Sequence, residues 1–198
     1  MLKRLIVITA VGVLAAAPLR AQPKGLVPVS ANPREGFWIG FGLGGGSIGA
    51  DCSSCDSTRE GGVTGFLRMG GTISRHLLLG GEVDGWVRSQ NGANESMGFG
   101  SFVGSIYPSA NGAFFVQLGI GGMTYTWDHG VDRLEATAPA GSIGLGYDFR
   151  VGRMLSITPF VNALASSPVS FTFNGVKVPT GEDIKLNLVH VGLGLTWH

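Results

Sequence analysis

The sequence predicts an all-β fold, an eight-stranded antiparallel up-and-down barrel. Three observations predict it. After residue 36 the side chains alternate with period two almost to the end, the signature of strands with two unlike faces. The alternating runs are mostly 11–14 residues, against about 5–6 for an ordinary strand. The connections between them alternate short and long, the hairpin rhythm of a barrel with one plain end and one elaborate end. Composition agrees. The chain has 198 residues, 34 of them Gly, with 14% charged residues, a net charge of +1 and a mean hydropathy of +0.28. Sparse charge and 44% apolar content exclude ordinary disorder, and the lack of a basic cluster argues against a nucleic-acid partner.

Residues 1–21 read as a secretory signal. Lys3 and Arg4 form a basic start, and Leu5 to Ala17 form an apolar stretch too short to span a bilayer comfortably. The competing reading, a retained anchor, is disfavoured by that short core and by Pro18. Cleavage is expected after Ala21. Residues 22–36 carry three Pro and no period and read as a flexible periplasmic lead; residues 37–198 form the barrel. Beyond residue 21 no apolar run reaches the roughly 18 residues of a membrane helix.

Eight runs follow: 37–49, 61–73, 77–88, 97–107, 113–126, 139–150, 155–165 and 185–197. Ser74–His76, Pro108–Gly112 and Val151–Met154 are short connections. Segments 50–60, 89–96, 127–138 and 166–184 are long ones. In the last, Asn174-Gly175 is a two-residue hairpin signal, so the seventh and eighth runs are expected to continue as a protruding ribbon. Pro159 inside the seventh run is expected to mark a bulge.

Each run has an apolar face, such as Leu77, Leu79, Val83 and Val87 of the third or Val189, Val191, Leu193 and Leu195 of the eighth. The other face carries mainly Gly, Ser and Thr, with aromatics such as Trp38, Phe102 and Phe160. In the fourth run the faces are least distinct, since Ser101 and Ser105 share one with Phe99 and Val103. Water-facing strands normally carry Lys and Glu, whereas small residues suit the narrow interior of an eight-stranded barrel. The ionisable residues Arg68, Glu82, Asp84, Arg88, Asp148 and His190 all lie on the small-residue face. An Arg facing lipid at mid-membrane costs about 2–4 kcal/mol. The apolar face is therefore read as lipid-facing, and the barrel as transmembrane. With the short turns placed at the periplasmic side, Phe37, Tyr107, Phe114, Tyr147, Phe149 and Trp197 gather at that end as an interfacial aromatic girdle.

Over about residues 37–198 the chain resembles small outer-membrane barrels of the OmpA-transmembrane-domain and OmpX kind. The most specific element is the final strand, Asn187-Leu-Val-His-Val-Gly-Leu-Gly-Leu-Thr-Trp197. The resemblance implies a monomer in the outer membrane of a Gram-negative-type cell, in contact with outer-membrane lipid. It implies recognition of this strand by the barrel-assembly machinery, although here His198 follows the aromatic.

Candidate chemistry is thin. Arg68, Glu82, Asp84, Arg88, Asp148 and His190 are read as a structural lumen network that plugs the barrel, because shielded charges are normally paired. No porin-like open pore is expected, since wide channels need about 16 strands. Cys52 and Cys55 are read as a loop disulfide in an oxidising compartment. No residue pattern calls for a metal or a cofactor. Asp128, His129 and Asp132 lie in the third long connection, His129 is read as a solvated loop residue, and no His is followed two residues later by Ser, the pair that lipid A deacylases of this architecture carry. The expected role is non-enzymatic: surface structure, adhesion or envelope integrity. The rivals are a lipid A-modifying enzyme and a soluble secreted barrel that holds an apolar ligand.

Overall fold

The computed structural model describes residues 34–53, 58–152, 154–179 and 181–198. The expected signal and the lead up to residue 33 lie outside the described residues, as does Cys55. The strands, in chain order, are β1 (Phe37–Asp51), β2 (Arg59–Ser74), β3 (Leu77–Gln90), β4 (Ala93–Ile106), β5 (Phe114–His129), β6 (Asp132–Tyr147), β7 (Phe149–Arg150), β8 (Leu155–Ser166), β9 (Ser170–Phe173), β10 (Val176–Val178) and β11 (Lys185–Trp197). β1 to β6 pair antiparallel in succession, β6 pairs with β8, β8 with β11, and β11 returns to β1. This is the closed eight-stranded ring that the alternation predicted. The closing ladder runs from Ile39↔Trp197 to Asp51↔Lys185. Closure leaves no free edge in the ring, which is how a sheet satisfies its backbone in lipid.

Orientation follows the expectation. Leu43 is 72% exposed, Ile120 73% and Leu193 62%, whereas Glu82 is 3% and Arg68 5% exposed. A soluble carrier with an apolar interior has the opposite arrangement, so that alternative falls. On β2 the outward apolar residues run from Ile73 to Val63. At about 3.4 Å per residue and a tilt near 40° they cover roughly 26 Å of height, close to the apolar band of a membrane barrel.

β4 reverses the assignment made for it. Phe99 and Val103 are fully buried inside, with Met97 and Ser105, while Phe102 is exposed on the outer surface beside Gly98, Gly100 and Gly104. The large side chains turn inward here because the lumen needs volume. Phe99 joins Trp86, Met97, Met123 and Leu188 in one interior cluster, and Val103 joins Trp38, Leu78, Tyr107 and Phe115 in a second.

Two connections expected to be long are two-residue turns. β3 and β4 meet through Asn91 (φ 51°) and Gly92 (φ 79°), and β5 and β6 through Gly130 (φ 65°) and Val131. Positive φ at both central residues is the type I′ hairpin, and a positive-φ Gly in first place is the type II′ form. The alternation fades in segments 89–96 and 127–138 because the outer face becomes polar there, although the backbone ladder continues. Asn174 (φ 46°) and Gly175 (φ 84°) do form the expected hairpin. Its base differs from expectation: β9 pairs with the upper part of β6, from Leu134↔Phe173 to Thr137↔Ser170.

Pro159 marks no bulge. It sits in unbroken register opposite Leu193. On its other side it faces the interruption between β6, whose ladder with β8 ends at Gly146↔Phe160, and β7, which resumes at Phe149↔Ile157. A residue without N–H fits where the ladder is already nicked.

Candidate functional site

The lumen is built by inward-pointing residues of every barrel strand. Glycines make room for its rings: a Cβ on Gly146 would collide with Phe115, and one on Gly62 with the Trp86 indole. Phe66 meets Phe160 edge-on at 5.0 Å, and Phe160 meets His190 at 5.4 Å.

Of the six ionisable residues singled out in sequence, Arg68, Glu82 and Asp148 are joined through neutral side chains, and Arg88 stands apart. Arg68 and Glu82 are joined through Gln117. Arg68 Nη1 donates to Gln117 Oε1 at 2.6 Å, and Gln117 Nε2 lies 2.7 Å from both Glu82 oxygens. The direct Arg68–Glu82 separation is 4.0 Å. The guanidinium also sits over Phe66 at 4.8 Å and Phe115 at 5.3 Å. Asp84 and His190 face each other at 3.7 Å, too far for a hydrogen bond. Arg88 stands apart near the loop end and pairs with Glu60.

Asp148 anchors the short-turn end. It accepts from Tyr107 Oη at 2.8 Å and Thr158 Oγ1 at 2.7 Å, and His198 Nε2 lies 3.8 Å away. Thr158 and Thr196 hydroxyls are 3.2 Å apart, and Arg68 Nη2 reaches Thr196 Oγ1 at 3.4 Å. One polar path therefore runs from Glu82 through Gln117, Arg68, Thr196 and Thr158 to Asp148. Burial acts to raise the Asp148 carboxyl, but His198 and the two hydroxyls outweigh it and hold it below the ordinary carboxylate value. Burial, with Asp148 beside it, pushes the Tyr107 phenol up. Tyr107 is thus no girdle residue: it is 3% exposed and turned inward, because β4 carries its odd-numbered residues to the inside.

Arg34 closes the same end. It is buried, lies over the Tyr107 ring at 3.5 Å, and donates to the carbonyls of Ala110, at 3.4 Å, and Gly112. Gly36 O accepts from Thr72 N at 2.8 Å. The described end of the lead is therefore held against the barrel rather than free. Sequence reading missed Gln117, Thr158, Thr196, Arg34 and His198. For the first three the inward parity of their strands was the available signal; Arg34 and His198 lie outside any alternating run and gave none.

The remaining girdle candidates Phe37, Phe114, Tyr147, Phe149 and Trp197 are exposed on the outer surface at the short-turn end. Tyr147 packs on Phe149 at 4.6 Å and Trp197 on Phe41 at 6.2 Å. Cys52 is disulfide-bonded. His129 flanks the β5–β6 turn opposite Asp132 and lies against Trp127 at 5.7 Å. Among the described residues no group of three or more His, Cys, Asp or Glu is placed to hold a metal.

No protein-family model and no curated protein matches this sequence. Solved structures do. Neisserial surface protein A is similar at TM-score 0.57 and 11% identity, over 82% of this chain and 97% of that one. The chain has the fold of a small eight-stranded outer-membrane barrel. Ail, the attachment invasion locus protein of Yersinia pestis, is similar at TM-score 0.48 and 11% identity, over 82% and 99%. The outer membrane protein OprG from Pseudomonas aeruginosa is similar at TM-score 0.47 and 13% identity, over 83% and 97%. In this outer-membrane barrel β5 and β6 continue above the apolar band to a hairpin tip at Val131, which is 93% exposed.

Proposed function

We propose that this protein is a resident of a Gram-negative-type outer membrane, exported by its N-terminal signal, and that it is a monomer with a plugged lumen. Its role is non-enzymatic: it presents surface ribbons for adhesion or envelope integrity. The observation that carries the reading is the inverted barrel, apolar outside with rings and paired charges inside. Trp38, Trp86, Phe99 and Phe115 are each at most 2% exposed, which supports a lumen that conducts no solute. The tips at Val131 and Val176, apolar yet in water, support contact with another surface. Phe37, Phe114, Tyr147, Phe149 and Trp197 serve as the periplasmic interfacial girdle, and the final strand as the address read by the barrel-assembly machinery. The test is fractionation of cells that express the full chain. Extraction by detergent but not by high salt, with a heat-modifiable gel shift and no single-channel conductance, is the expected result. Release by salt alone contradicts the membrane assignment. Altered lipid A acylation that is lost in His129→Ala supports the enzymatic rival instead.

A further inference from the structure

At the loop end, above the interior cluster, lies a cavity of about 460 Å³ that opens to the outside. Its size falls within the roughly 300–1,000 Å³ of small-molecule sites. Ile48 and Leu186 form an apolar floor, and Ala50, Tyr125, Phe171 and Ile184 form apolar walls packed on the same cluster. Two carboxylates, Glu60 and Glu95, stand in its lining. One cation stands beside them. Arg88 pairs with Glu60 and sits directly opposite Glu95 in the β3–β4 register. Tyr125 Oη donates to Glu95 Oε2 at 2.9 Å, a neutral donor that leaves the charge in place. The lining therefore carries an excess of one negative charge beside an apolar bowl. Beneath the floor, Trp86, Phe99 and Leu188 are fully buried, so an occupant is held rather than passed on.

We propose that this mouth is a binding site for a small amphipathic cation, an aromatic or branched apolar body bearing one ammonium. The body fills the bowl against Phe171, Ile184 and Leu186, and the ammonium meets Glu95 at the rim. This reading is independent of any adhesive role, since it needs only the folded barrel.

The test is calorimetric titration of the full mature chain in phosphatidylcholine nanodiscs, with empty nanodiscs as the reference. The probes are tryptamine, indole and indole-3-acetate, which share a ring system and differ in charge. Tryptamine is expected to bind saturably, more tightly than indole, and at least tenfold more tightly than indole-3-acetate. Glu95→Gln is expected to weaken tryptamine about fivefold, the scale of one partly exposed ion pair, while leaving indole unchanged. Ala50→Phe, which fills the bowl, is expected to abolish binding of all three, with the heat-modifiable gel shift certifying the fold of each variant. No saturable binding of any probe, tight binding of indole-3-acetate, or an Ala50→Phe variant that is folded and still binds would overturn the proposal.

Discussion

Gln117 illustrates how a single neutral residue can decide whether buried charges are tolerable. Its amide accepts from Arg68 and donates to Glu82, so both ions are hydrogen-bonded although they stand 4.0 Å apart. Arg68→Ala leaves Glu82 without its guanidinium and is expected to cost about 3–5 kcal/mol, measured by urea unfolding in lipid vesicles. Asp148 makes a pH-dependent contribution. Its carboxyl is held below the ordinary value when folded. Its stabilisation is therefore present above the unfolded-state pKa and is lost as pH falls through the folded-state one. Asp148→Asn is expected to lower stability at neutral pH and to flatten the acid limb of the unfolding profile; an unchanged acid limb would show that Asp148 carries none of it. Glycines differ by face. Gly146→Ala pushes on the Phe115 ring and is expected to cost about 1–3 kcal/mol. Gly122→Ala meets nothing within 4 Å and is expected to be close to neutral.

At the scale of strands and turns, legibility tracked the solvent. Period-two alternation reports a lipid face against a lumen face, so β1, β2, β3, β5, β6, β8 and β11 could be read from sequence wherever lipid is the neighbour. Above the bilayer the outer face carries Asn94, Ser96, Asp128 and Arg133, and the pattern stops before the ladder does. Asn91-Gly92 was a readable turn signal, overlooked because the surrounding polarity resembles a loop. β4 could not be read by apolarity: its outward face is largely glycine and its inward face holds Phe99 and Val103, so volume rather than polarity sets its direction. Tyr107 and Phe102 were misplaced for that one reason. The turns are testable. Gly92→Val forces a β-branched residue into a positive-φ position and is expected to destabilise the β3–β4 hairpin by about 1–2 kcal/mol. The faster amide exchange should be confined to the upper halves of β3 and β4.

Considered whole, the molecule is a sheet that closes on itself around its own charges and rings, with a tethered short-turn end and an open, apolar bowl at the loop end. Charge inside and hydrocarbon outside is the arrangement that water penalises and a bilayer rewards. The most direct measurement is the accessibility of nitroxide labels in phosphatidylcholine vesicles, in a Cys52→Ser, Cys55→Ser background. Single cysteines replace Leu43, Val83, Leu118 and Leu193 on the outer band, and Val131 and Val176 at the tips. The account predicts that band labels are relaxed by oxygen and shielded from an aqueous nickel chelate, and that tip labels show the reverse. Chelate-accessible labels at Leu43 and Val83 in the folded barrel would contradict it.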